Sequence, residues 1–387
     1  MMVMSNSIYL DNSATTPVAP EVLEAMTPFF QTYYGNASSL HSAGRDARMA
    51  VEGSRSLIAE YLGIAPNEIV FTSGATESDN LAVLGTALQS RTGGHIITSR
   101  VEHDAILHAV QWLETQGYDV TYLEVDEFGR VDPEAVREAI RSDTLIVSVI
   151  AGNNEIGTIQ PIREIGEICK QRNVPFHTDA VQAYGKVKLP IDVIDMLSVS
   201  AHKLHGPKGV GFLYVRKGVK LTPILHGGGH ESGRRSGTEN VPGIVGLGEA
   251  TRIAFEEREL VTQRMRGFRE HLIEEVLKLP GTRLNGHVIE SLPHIVNFSF
   301  AAIEGESLIM KLNEHGISTS TGSACSSPNL EPSHVLVALG IPLSMAHGSL
   351  RVSTGRQTTE TDIEALLKAL PIVVQELRDI SPFKVGG

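Results

Sequence analysis

Between about Thr72 and Lys217, short apolar runs alternate with stretches of helical period. The runs His95–Thr98, Val120–Val125, Leu145–Ile150, Val174–Thr178, Met196–Val199 and Val210–Val215 are rich in β-branched residues, and each predicts a strand. Between several of them, Asn80–Leu88, Ala105–Leu113, Pro133–Ile140 and Ile162–Lys170 predict helices. In the last, Ile165, Ile168 and Cys169 share one face by the 3, 4 spacing. Asp132, Pro133 and Glu134 supply an N-cap, a proline at the first helical position and an acid for the first turn. Alternation of helices with nearly continuous apolar strands predicts an α/β fold with a mainly parallel sheet covered on both faces. Ligands of such sheets sit beyond the carboxyl ends of the strands.

After about Ala254 the texture changes. Glu256–Leu279 reads as one long helix, His294–Phe300 as a strand and Glu306–Glu314 as a helix; a Ser/Thr/Gly-rich loop and a helix over Glu360–Leu377 follow. This predicts a large domain over residues 16–255 and a smaller α+β domain built from residues 1–15 and 256–387.

Composition narrows the classes. The 387 residues are 41% hydrophobic and 20% charged, which is ordinary for a globular chain. Lys and Arg total 33 against 45 Asp and Glu, a net charge of −12 that argues against nucleic acid as a partner. The apolar runs fall far short of the roughly 18 residues of a membrane span. Two cysteines make no disulfide framework. No Lys or Arg precedes Arg45, so a secretory leader is not expected and a cytoplasmic enzyme is.

The common nucleotide templates are absent, as is a G-x-S-x-G elbow. His226 and His230 flank three glycines, a spacing that does not align them on a helix for a metal. Ser200-Ala201-His202-Lys203 is different, because it directly follows an apolar strand. A lysine desolvated there suits an amine that condenses with a carbonyl, although alone it reads equally as a solvated strand-end lysine. Asp179 ends the preceding predicted strand, 24 residues earlier. An amine and an acid brought to one ligand are what pyridoxal phosphate needs; alone, Asp179 also reads as a helix cap. Ser73-Gly74-Ala75-Thr76-Glu77-Ser78 leads from a strand into the helix expected near Asn80, a turn that can hold an anion or serve as a Ser/Thr cap.

These motifs occur in order with Asp11–Pro17, Glu102-His103, Asn153–Gly157, His177–Gln182, Arg235–Thr238, Gly322–Cys325 and Arg351–Arg356. The whole series resembles the cysteine desulfurases of the NifS/IscS group, in the class V aminotransferase branch of fold-type I pyridoxal-phosphate enzymes. The resemblance implies a large cofactor-binding domain with a seven-stranded type of sheet, plus the small domain carrying a catalytic cysteine loop. It implies Lys203 as the amine that bonds the cofactor, Asp179 on its ring nitrogen and His103 stacked on the ring as a proton relay. Gln182 would bond the ring hydroxyl and Asn154 would contact the cofactor. Ala75, Thr76, Ser200 and His202 would hold the phosphate, completed by Thr238 of a neighbouring subunit in a homodimer. Arg351 would grip the substrate carboxylate, with Asn36 nearby. Two departures stand out: Ala37, where many relatives have proline, and Pro328 in the cysteine loop.

Cys169 on its apolar helix face reads as an inert core thiol, whereas Cys325 lies in a polar loop without apolar period, where a reactive thiol belongs. By resemblance, Cys325 takes sulfur from L-cysteine as a persulfide, leaves L-alanine and passes the sulfur to an acceptor such as an iron–sulfur scaffold protein. No resident metal is implied; transient iron–sulfur ligation by Cys325 is left open. The alternatives are selenocysteine cleavage or another pyridoxal-phosphate activity on this scaffold, and a sulfur-relay scaffold partner.

Overall fold

The computed structural model describes residues 7–90, 92–322 and 332–383. The chain enters on β1 (Ile8–Tyr9) and then builds a seven-stranded sheet. Its strands are β2 (Ile69–Thr72), β3 (His95–Ser99), β4 (Asp119–Leu123), β5 (Thr144–Ser148), β6 (Phe176–Asp179), β7 (Met196–Ser200) and β8 (Gly211–Val215). They lie in the order β2-β8-β7-β6-β5-β3-β4. All neighbours run parallel except β8, which is antiparallel to both β2 and β7. Strands β2, β3, β6, β7 and β8 are buried along their whole length, which is why they read as apolar runs rather than alternating ones.

Helices cover both faces. On one, Ile97, Val147, Phe176 and Leu197 pack with Ile58 of the helix Ser42–Leu62 and Leu247 of the helix Val241–Glu256. On the other, Ile96, Ile146 and Leu213 pack with Leu81 of the helix Ala75–Ala87 and Ile106 of the helix Asp104–Thr115. Burying each such side chain contributes about 1.5–3 kcal/mol. A third core is assembled from distant parts of the chain. A three-stranded antiparallel sheet, β9 (Thr282–Asn285), β10 (Ile295–Phe300) and β12 (Ser349–Ser353) in the order β12-β10-β9, packs on the helices Arg258–Val276 and Glu360–Ile380. Leu10 joins this core, and β1 pairs parallel with β11 (Ile317–Ser318).

The predicted helix Glu256–Leu279 is present as Arg258–Val276, and Glu257, near the bridge region (φ −92°, ψ −3°), joins it to the helix Val241–Glu256. One expected element differs. The helix expected near Asn80 begins at Ala75. Its N-cap is Gly74 rather than Ser73 or Thr76, and no side chain caps it. Gly74 has φ +151°, a conformation side-chain-bearing residues rarely adopt, and it turns β2 directly into the helix.

Candidate active site

Strands β6 and β7 end side by side, and beyond their carboxyl ends lies a cavity of about 460 Å³. Asp179 is the last residue of β6. Its Oδ1 accepts the Val181 N–H at 2.9 Å, but a turn follows rather than a helix, so the simple capping role does not apply. Burial raises the Asp179 pKa, and the nearby His103 and Lys203 offset part of that rise. One 3-10 turn after β7, Ala201–Lys203, delivers Lys203 to the same cavity. Its Nζ donates to the carbonyls of Ser13 (2.6 Å) and Ala14 (2.8 Å). Lys186 Nζ donates to the Lys203 carbonyl at 3.0 Å, and burial, with Lys203 nearby, brings the Lys186 amine down to about 7.

The cavity's second wall is the turn Ser73–Glu77. The first helical N–H groups, of Ala75, Thr76 and Glu77, precede the Ser78 N–H that closes onto the Gly74 carbonyl, so they have no partner within the helix. Gly211 lies so close that a Cβ there would stand 2.8 Å from the Gly74 Cα. A Cβ on Gly74 would lie 3.5 Å from Ser200 Oγ. Ser200, His202 and Lys208 border this turn on the cavity side. Burial, then Lys203 and Lys208, push the His202 imidazole down to about 4, so it is neutral. Glu77 ties the turn to the following segment, accepting the Ser73 N–H at 2.7 Å and the Arg235 Nε at 2.7 Å.

His103 caps the helix Asp104–Thr115: its Nδ1 accepts the Ala105 N–H at 3.1 Å, so capping and cavity lining coincide in one residue. Arg351, 3% exposed on β12, donates from Nη2 to Asp11 Oδ1 (2.8 Å) and from Nη1 to the Asn154 carbonyl (2.9 Å). Among the described residues its buried Nε has no partner. Asn154 and Gln182 also line the cavity.

Thus Ala75, Thr76, His103, Asn154, Asp179, Gln182, Ser200, His202, Lys203 and Arg351 converge on one space. Two residues do not. Thr238 lies in an adjoining cleft with Ser73 and Gly209. Asn36 is exposed, with its Oδ1 on the Ser38 N–H at 2.8 Å, and is not part of the cavity lining. Cys325 lies outside the described residues. Cys169 is fully buried, and burial pushes its thiol up to about 12.

Sequence reasoning assigned no role to three buried acids beside the cavity. Neither oxygen of Asp79 has a hydrogen-bond partner among the described residues, and burial and the neighbouring Asp179 hold its carboxyl well above its ordinary range. His177 Nε2 is 3.6 Å from Asp79 Oδ1, too long for a hydrogen bond. Burial pushes His177 down to about 3, so no ion pair forms. Burial pushes Glu102 up to about 8 although its Oε1 accepts Ser99 Oγ (2.6 Å) and the Ile150 N–H (2.9 Å). Glu155, also raised by burial, accepts Ser333 Oγ at 2.6 Å. Glu102 and Glu155 stand inside quoted motifs, which was the available signal; Asp79 carried none.

Fold and site define an α/β protein with a lysine amine and a buried carboxyl lining one cavity at the carboxyl edge of a mainly parallel sheet. The chain belongs to the class-V aminotransferases, whose family description matches residues 8–366, and within them to the cysteine desulfurases. It is 54% identical over 383 residues to "Cysteine desulfurase IscS" of Methanosarcina thermophila, covering 98% of this chain and 94% of that one. Among solved structures, a "NIFS-LIKE PROTEIN" superposes with a TM-score of 0.90 at 38% identity, covering 96% of this chain and all of that one. "SspA in complex with cysteine" superposes with a TM-score of 0.81 at 38% identity, covering 92% of this chain and all of that one.

Proposed function

We propose that this chain converts L-cysteine to L-alanine with the help of pyridoxal phosphate, keeps the sulfur as a persulfide on Cys325 and hands it to an acceptor. The observation that carries the reading is the meeting of Lys203 and Asp179 in one cavity beside an amide-rich turn. The residues fit the cofactor. The turn after Gly74 offers unpaired N–H groups to a phosphate, with Ser200 and neutral His202 beside it. Asp179 is a buried acid for the ring nitrogen, His103 a planar ring for stacking, and Gln182 and Asn154 polar groups for the rim. When bound, the cofactor supplies an electron sink for the bond at the substrate α-carbon.

The chain's own groups do the remainder. Lys203 would hold the cofactor through its amine, and its Nζ, once free, would take the substrate α-proton. Asp179, as an anion, would keep the ring nitrogen of a bound cofactor protonated; an ion pair about 4 Å apart at an effective dielectric near 20 is worth about 4 kcal/mol. Arg351 receives the substrate carboxylate on the guanidinium fork that Asp11 and Asn154 have already oriented. The Cys325 thiolate attacks the substrate sulfur and forms the S–S bond. The C–S bond breaks, its electron pair stays with the carbon fragment, and protonation there gives alanine.

The division at residues 15/16 and 255/256 places the thiol loop on the smaller unit and the cofactor groups on the larger. A homodimer in which Thr238 completes the partner's phosphate site accounts for its place outside the cavity of its own chain. An iron–sulfur scaffold is the acceptor we favour, in the cytoplasm; no described helix is long and apolar enough to cross a membrane. The decisive experiment incubates the holoenzyme with cysteine and measures alanine and sulfide together. Equal yields under a reductant support the reading, and sulfide with pyruvate instead of alanine refutes it.

A further inference from the structure

His294 precedes β10, and Gln182 lies three residues beyond the end of β6, so they come from different sheets. Both are buried, and the His294 Nε2 lies 3.1 Å from Gln182 Oε1. At its other end, Gln182 Nε2 donates to the Ser13 carbonyl at 3.0 Å. A carbonyl can only accept, so the amide nitrogen must be the atom facing Ser13. The amide oxygen then faces His294, and the imidazole must carry its hydrogen on Nε2. With the hydrogen on Nδ1, two lone pairs would oppose each other at 3.1 Å, and the amide would gain by flipping. Flipping, however, would set its oxygen against the Ser13 carbonyl. Only one arrangement satisfies all three groups. It leaves the second hydrogen of the Gln182 NH2 group for the cavity that this side chain lines.

We propose that His294 is a positioning residue of Gln182: its Nε2–H, together with the Ser13 carbonyl, holds the amide so that the NH2 group, not the oxygen, serves the cavity. The inference rests on the reading that Gln182 contacts the bound cofactor. His294 keeps to this task because it stays neutral. Lys186, Lys203 and Arg351 face it, and together with burial they hold its pKa well below the ordinary value. Its Nδ1 is buried without a partner among the described residues, consistent with a bare nitrogen. The His294 carbonyl accepts the Thr354 N–H at 2.9 Å, next to the strand that carries Arg351. The amide is therefore held from two sides, by the Ser13 carbonyl and by a residue anchored beside the strand that carries Arg351.

The test follows the absorption of cofactor bound to the holoenzyme as a function of pH, because an N–H donated to the cofactor's hydroxyl oxygen stabilises its ionised form. Gln182→Leu removes that donor and should move the midpoint by about one pH unit, a tenfold change in the proton equilibrium. His294→Phe keeps a planar ring but leaves the Ser13 carbonyl alone to hold the amide, and should move the midpoint the same way by up to about half as much. His294→Gln, whose amide nitrogen reaches about as far as Nε2, should restore it. In the double variant the two shifts should not add. If Gln182→Leu moves the midpoint and folded His294→Phe leaves it in place, the proposal is overturned and the role of Gln182 stands. If Gln182→Leu itself moves nothing, the reading of Gln182 falls and the proposal with it. Should the Phe chain fail to fold, the 15N resonances of selectively labelled histidine in the parent holoenzyme decide: protonated Nε2 with bare Nδ1 supports the proposal, and the opposite tautomer ends it.

Discussion

Replacing Arg351 by lysine probes the substrate end of the site while keeping its charge. The guanidinium is clamped by Asp11 through Nη2 and by the Asn154 carbonyl through Nη1, and its buried Nε–H has no partner among the described residues. Arg351 lines the cavity, and a substrate carboxylate there would take the hydrogens of the fork that Asp11 and the Asn154 carbonyl leave over. Lysine has three donors on one nitrogen but no planar fork, so it cannot hold Asp11 and the Asn154 carbonyl and also grip a carboxylate by two prongs. Each charge-assisted hydrogen bond lost costs about 1.5–3 kcal/mol, and about 1.4 kcal/mol is tenfold. The KM for cysteine should therefore rise by about tenfold to a hundredfold in Arg351→Lys. Cofactor absorption should be unchanged, because Lys203 and Asp179 are untouched. Initial rates of alanine release against cysteine concentration give KM, and the spectrum of the same sample reports cofactor loading. A KM within about twofold of the parent, at full loading, would refute the assignment, since it would mean that no interaction with substrate was removed.

Brief alkylation of the native protein should label Cys325 and spare Cys169, whose thiol at about 12 leaves roughly one part in ten thousand as thiolate at pH 8. Cys325→Ser should still exchange the α-proton of cysteine with solvent but carry no persulfide; parent-rate sulfide release from it would rule out the thiol as acceptor. Borohydride reduction of the holoenzyme should fix cofactor mass on the peptide containing Lys203 and not on the one containing Lys208, as peptide mass spectrometry will show. Glu102 is a buried acid whose folded pKa, about 8, exceeds its unfolded value, so the folded state binds the extra proton between about pH 4.5 and 8. Its contribution to stability is fully present below that window and is lost as pH rises through it. Glu102→Gln should flatten this decline in urea titrations at pH 5 and pH 8.5, and an unchanged slope would count against a protonated Glu102.

The strands were legible because burial on both faces writes them as apolar runs: β3, β6, β7 and β8 fall within about two residues of their expected bounds. The start of the helix Ala75–Ala87 was misjudged because Gly74 turns the chain by its backbone alone, leaving small polar residues that resemble a loop. Lys203 and Asp179 stood out because each follows an apolar strand, and that position means something in an α/β sheet. Asp79 and His294 were illegible for the converse reason. Their significance lies in burial and in partners from distant segments, such as Gln182 for His294, and no local pattern records either.

The stretch Asp11–Ala14 touches nearly every group discussed here. Asp11 holds Arg351, the Ser13 N–H donates to Ser353 Oγ at 2.9 Å, and the Ser13 carbonyl accepts from both Gln182 and Lys203. The bonds to Arg351 and Ser353 span 340 residues. During synthesis, β2 to β8 can pair and Gln182 and Lys203 can reach Ser13 first, but Asp11 and the Ser13 N–H have no Arg351 or Ser353 to close on until β12 has left the ribosome. At roughly 5–20 residues per second that interval is on the order of a minute or less. Throughout it the nascent chain holds an assembled sheet with an unfinished cavity, open to solvent and to any aldehyde that meets Lys203. The arginine end of the cavity is thus completed late, by the last described strand to be made rather than by the sheet that carries the lysine.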